Sequence, residues 1–91
     1  MEAMFCQEER YETLTIYFTN KEERIAALDA IEEVGKEFSF QPAVYIKMPT
    51  DHAPGEVNLE FVDDYDKEAQ PIVEALTSRL ALTFIPCHLC Q

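Results

Sequence analysis

Glycine and basic residues are scarce in this chain. Its 91 residues include two glycines, and seven lysines and arginines are set against 18 aspartates and glutamates. So little glycine excludes a glycine-rich loop of the kind that cradles nucleotide phosphates. The net charge of −11 is repelled by nucleic acids and by anionic membrane surfaces, because both are bound through lysine and arginine. We therefore expect neither nucleic acid nor a membrane as a direct partner.

Long apolar runs are also missing, and cysteines are few. No run approaches the roughly 20 apolar residues of a membrane-spanning helix. Residues 1–10 contain three glutamates and lack the apolar centre of a secretory signal. Three cysteines are an odd number, which fits poorly with a secreted disulfide framework. Together these absences predict a cytoplasmic protein.

The apolar residues present are enough for one folded domain over residues 1–91. They make up 47% of the chain, which argues against disorder. Residues 1–10 are either flexible or an extension of the first strand, and residues 86–91 form a cysteine-rich tail. The acidic charge is attracted to basic surfaces, and salt weakens that attraction.

Residues 13–37 give the clearest secondary-structure signal. Leu14, Ile16 and Phe18 alternate with polar residues, as in a strand with one buried face. Asn20 can cap a following helix, with Glu23 reaching back to the Asn20 N–H. The apolar side of that helix comprises Ala27, Leu28, Ile31, Val34, Gly35 and Phe38.

The rest of the chain predicts three more strands and one more helix. Residues 43–48 and 56–62 alternate as strands, a helix starts near residue 66 or 67, and residues 82–85 form a short last strand. The order β-α-β-β-α-β resembles the ferredoxin-like superfold, which implies α+β architecture with two helices on one face of a four-stranded antiparallel sheet of order 4-1-3-2. Tyr17 and Tyr45 would then lie on the open face, where they could contact a partner.

The C-terminal cysteines suggest a second activity. Cys87 and Cys90 have metal-ligand spacing and enclose His88. The expected antiparallel pairing of the last strand with the first would bring Cys6 near them. A zinc site of Cys6, Cys87, His88 and Cys90, a disulfide between two of the thiols, and inert cysteines all remain open.

No residue set amounts to a catalytic constellation, so we do not expect an enzyme. His52 is predicted to lie in an exposed loop without a partner for proton transfer. The acidic run around Asp64 departs from the EF-hand pattern and predicts the start of a helix.

Carboxylates dominate the outer side of the first helix. They are Glu22, Asp29, Glu32, Glu33 and Glu37. They predict a non-enzymatic interaction module that binds and modulates a basic protein partner. In composition, though not in motif, the chain is similar to small acidic anti-defence inhibitors, anti-CRISPR proteins among them, that occupy a nucleic-acid-binding surface. A thiol or metal module, and a ligand-sensing ferredoxin-like homodimer, are the alternatives.

Overall fold

The computed structural model describes residues 1–38 and 41–87, which form five strands and two helices. In chain order these elements are β1 (Glu2–Gln7), β2 (Tyr11–Phe18), α1 (Lys21–Gly35), β3 (Ala43–Lys47), β4 (Gly55–Val62), α2 (Ala69–Leu80) and β5 (Thr83–Phe84). No helix in these two ranges is long and apolar enough to cross a membrane.

The strands form one mixed sheet, so the predicted ferredoxin-like fold is wrong. The order is β3-β4-β2-β1-β5, in which β1 and β5 are parallel and the other neighbours antiparallel. The prediction had four strands, all antiparallel. The α+β class and the two helices are as predicted.

The additional strand β1 explains the error. Residues 1–10, expected to be flexible or to extend the next strand, contain β1 and a tight connection back to β2. This hairpin places Ala3 opposite Ile16 and occupies the edge that the last strand was expected to take. The last strand therefore pairs with β1, with Thr83 opposite Glu2, and runs parallel to it.

The core lies between one face of the sheet and the two helices. Leu14 and Ile16 of β2 and Leu59 of β4 are fully buried there, as their alternation predicts. Helix residues from Ala27 to Val34 and from Ala69 to Leu76 pack against them in a single cluster. We call this the inner face of the sheet, and the opposite side the outer face.

Side-chain caps start both helices. Asn20 Oδ1 accepts the Glu23 N–H at 2.8 Å, as predicted. The Glu23 carboxylate reaches the N–H of Thr19 at 2.7 Å, one residue before the N–H that the capping box predicts. Helix α2 begins at Ala69, later than expected. Its N-cap residue Glu68 makes no side-chain cap bond, and the Asp64 carboxylate instead accepts the N–H groups of Glu68 and Ala69 at 2.7 and 3.0 Å.

Candidate partner-binding surface

The inner face of β3 is uncovered. Val44 and Ile46 lie opposite Leu59 and Val57 in the ladder, so they point to the core side of the sheet. Both β4 residues are fully buried, whereas Val44 is 42% exposed and Ile46 49% exposed. Large apolar side chains that belong to a core face and remain exposed together are the usual mark of a protein-binding surface.

Helix α1 forms the other side of this exposed region. Arg24 Nη1 lies 3.4 Å from Met48 Sδ, and Ile31 lines the same small cavity as Val44. The helix therefore runs alongside β3 in the opposite direction. Ile25 is also exposed, but it follows Arg24 by about 100° around the helix and lies on the solvent side of α1. We call Val44, Ile46 and Met48 the β3 patch.

The acidic side chains on α1 share a stripe with Ile25. Glu22, Asp29 and Glu32 lie three residues before it and four and seven after it, which is the spacing of one side of a helix. All three are exposed and have no ion-pair partner within residues 1–38 and 41–87. Lys21 and Lys36 stand at the two ends of the stripe, so its middle is acidic.

The other two predicted partner-binding carboxylates are engaged within the chain. Glu37 pairs with Arg79 of α2, and Glu33 pairs with Lys36 at 3.8 Å. The Glu33 pairing replaces the Glu32–Lys36 contact that spacing alone suggests. The acidic side of α1 is thus divided into a paired half towards α2 and an unpaired half beside Ile25.

The outer face carries the two predicted tyrosines on different strands. Tyr45 is exposed and lies opposite Asn58, while Tyr17 is half-buried and lies opposite Glu56. Burial, followed by the charges of Glu56 and Glu2, raises the pKa of Tyr17. Strand β4 separates the two tyrosines in the sheet, so only Tyr45 borders the β3 edge.

Cys6 and Cys87 are joined by a disulfide, with their Cα atoms 5.5 Å apart. The bridge ties β1 to the segment after β5, and disulfide sulfurs are not the thiolates that zinc prefers. His88 and Cys90 lie outside the described residues. No group of three or more potential metal ligands occurs in the parts of the chain that the structure describes. Disulfides are rare in the reducing cytoplasm, so this bridge argues against the cytoplasmic location predicted from the sequence.

A buried carboxyl pair was missed by the sequence analysis. Glu12 is fully buried beside Asp64, and no described donor reaches its Oε1 atom. Burial, and then the hydrogen bond to Asp64, raise the pKa of Glu12; the protonated acid can donate to Asp64. Burial raises the pKa of Asp64, but hydrogen bonds from Glu12 and two backbone N–H groups outweigh it and leave that pKa lowered.

The carboxyl pair has a structural role. Asp64 caps α2, and Gln7 donates to Glu12 Oε2 at 2.9 Å, so the pair links β1, β2 and α2. The alternation of side chains along β2 could have identified Glu12 from the sequence, because Glu12 lies two residues before Leu14 and shares its buried face.

His52 is exposed in its loop, as predicted.

Besides the β3 patch, an apolar groove lies between α2 and the edge of the sheet formed by β1 and β5. It is shallow and is lined by Phe5, Val73, Thr77 and Phe84 among others. Among the described residues that line it, Glu74 is the one that carries a charge.

No protein-family model, curated protein or solved structure matches the chain.

Proposed function

We propose that this protein is a non-enzymatic interaction module that binds a basic protein partner through the β3 patch. The observation that carries the proposal is the exposure of Val44 and Ile46 on a face that is otherwise core. Transfer of such apolar side chains from water into an interface is favourable, so a partner that covers Val44 and Ile46 would gain affinity from their burial.

The acidity of the chain indicates the chemistry of the partner. Glu22, Asp29 and Glu32 are exposed on the solvent side of α1, and the whole chain has a net charge of −11. Complementary charge accelerates association and selects among partners more than it adds affinity. A partner with apolar residues at the centre of its interface and lysine or arginine around them fits both features.

A matched pair of variants tests the proposal. Val44→Thr with Ile46→Thr removes apolar surface from the patch and keeps β-branched residues in the strand. Val62→Thr makes the same change at an exposed residue of β4 that lies at the far end of the strand, opposite Tyr11. Each immobilised protein is incubated with lysate of the source organism at low and at high salt.

We expect the wild type and Val62→Thr to retain the same basic protein at low salt. The Val44→Thr/Ile46→Thr variant should retain much less of it, and high salt should weaken capture because the steering charges are exposed. Equal capture by all three proteins, or capture of acidic proteins only, would contradict the proposed surface.

A further inference from the structure

We propose that the partner supplies an extended segment that pairs with the free edge of β3 and adds a strand to the sheet. This inference rests on the proposed function and concerns how the partner is bound. Within the described residues β4 is the only neighbour of β3, so the other edge of β3 presents unpaired backbone N–H and C=O groups. Such an edge is a template for another strand.

The two edges of the sheet are protected to different degrees. At one edge β5 has two residues and is tied down through the Cys87 bridge that follows it. A very short strand is a usual protection against edge pairing. At the other edge β3 has five residues in unbroken register with β4.

Two prolines limit the length of the added strand. Pro42 precedes β3, and Pro49 follows Met48. Proline has no N–H group to donate to a ladder, so regular pairing is confined to the stretch between them. The complementary segment therefore needs only about five residues in extended conformation.

The neighbours of the added strand define its side-chain pattern. Residues of the strand that point to the inner face lie beside Val44 and Ile46, and apolar side chains suit that position. Residues that point to the outer face lie beside Ala43, Tyr45 and Lys47. Tyr45 is exposed and can accept a cation over its ring.

The outer face favours a basic residue beside Tyr45 but not beside Lys47, whose ammonium group lies 3.9 Å from the Glu56 carboxylate. The Glu60 carboxylate opposite Ala43 accepts the Tyr11 hydroxyl at 2.8 Å and so is directed towards β2 rather than towards the β3 edge. The pattern that fits is therefore apolar residues beside Val44 and Ile46, alternating with a basic residue beside Tyr45. A second copy of this chain brings the same net charge of −11 and is disfavoured.

Amide hydrogen exchange on the full chain, labelled with ¹⁵N, tests strand addition. The probe is a short peptide in which valine alternates with lysine. A second peptide has the same sequence with N-methyl groups on alternate residues, which removes the donors of one edge and keeps every side chain. We expect the first peptide to slow exchange of amides within Ala43–Lys47 by about tenfold or more, and the methylated peptide to have no such effect.

The outcomes separate this inference from the proposed function. If the valine–lysine peptide binds and the methylated form binds equally well, strand addition is wrong while a basic partner remains supported. If β3 amides are already protected in the free protein and the chain sediments as a dimer, the edge is used by a second copy and the inference is overturned. Failure to protect β3 amides at saturating peptide also overturns it. The lysate experiment with Val44→Thr/Ile46→Thr then decides the proposed function independently.

Discussion

Ile46 lies directly opposite Val57, and the two side chains point to the same face of the sheet, but only Val57 is buried. The width of the two layers explains this difference. Two helices, each about 10 Å across, cover about four strands at a spacing of about 4.8 Å. The sheet has five strands, and α1 contacts β2 and β4, so the inner face of β3 is left beyond the helix.

The first prediction compares threonine at these two positions. Ile46→Thr should change the free energy of unfolding by less than about 1 kcal/mol, because Ile46 is already 49% exposed and threonine keeps the β-branch that suits a strand. Val57→Thr should cost about 1–3 kcal/mol, because it buries a hydroxyl without a partner. Urea unfolding of both variants measures the difference. Equal losses would show that Ile46 is covered in solution.

The sequence predicted those elements in which one periodicity dominates. Leu14 to Phe18 and Val57 to Phe61 alternate cleanly, and the stripe of α2 repeats with helical spacing; all three lie in the core as expected. β1 was missed because apolar and polar residues occur on both of its faces: Phe5 points inward with Gln7, and Met4 points outward with Glu2. The turn after it, Glu8-Glu9-Arg10, lacks the glycine or asparagine that marks a hairpin.

The candidate surface was only partly predictable. Helical spacing placed the carboxylates of α1 on its exposed side, and alternation placed Val44 and Ile46 on one face of β3. Whether the helices cover that face depends on the number of strands in the sheet. The sequence analysis did not predict β1, so the exposure of the β3 face could not be predicted either. The pairing of Glu33 and Glu37 depends on side-chain positions, including that of Arg79 in α2, that sequence spacing does not give.

The second prediction concerns Gly55, which lies opposite Phe18 in the ladder. A Cβ atom at Gly55 would overlap the ring of Phe18, which is buried and cannot move away freely. Gly55→Ala should therefore lower the free energy of unfolding by about 1–3 kcal/mol. Gly35→Ala is the control: among residues 1–38 and 41–87 its new Cβ would meet only the Gln41 side chain, no closer than 3.4 Å, and helix propensity favours alanine. Similar effects of both changes would contradict the close packing of Phe18 on Gly55.

The third prediction is a pH dependence that arises from Glu12. Its pKa is raised in the folded protein, so the folded state binds more protons than the unfolded state once the pH exceeds the ordinary value of 4.5. Stability from Glu12 is therefore complete below that pH and is lost as the pH rises through the folded pKa. The loss is at most about 1.4 kcal/mol per pH unit.

Glu12→Gln removes this titration and keeps a donor for Asp64. We expect the variant to match the wild type near pH 4.5 and to become progressively more stable than it towards pH 8, as measured by urea unfolding. Glu9→Gln removes the same charge from the exposed turn and controls for net charge. Parallel curves for the wild type and Glu12→Gln across this range would show that Glu12 is not a buried acid in solution.

The fourth prediction concerns the Cys6–Cys87 bridge, which joins residues 81 apart in sequence. A bridge that closes so long a loop restricts the unfolded chain, so Cys87→Ser should cost about 2–4 kcal/mol. Reductant should destabilise the wild type by a similar amount and leave Cys87→Ser unchanged. Peptide mapping without reductant should recover Cys6 linked to Cys87, and a different linkage would contradict the structure.

Contact between the β3 patch and a partner can be measured directly by nuclear Overhauser effects. The measurement uses ¹³C-labelled methyl groups of Val44, Ile46 and Met48 in a complex with the captured basic protein. We expect cross-peaks from these methyl groups to the partner, together with loss of their solvent exposure. Cross-peaks confined to Val73 and the groove beside α2, with the β3 patch still in water, would contradict the account.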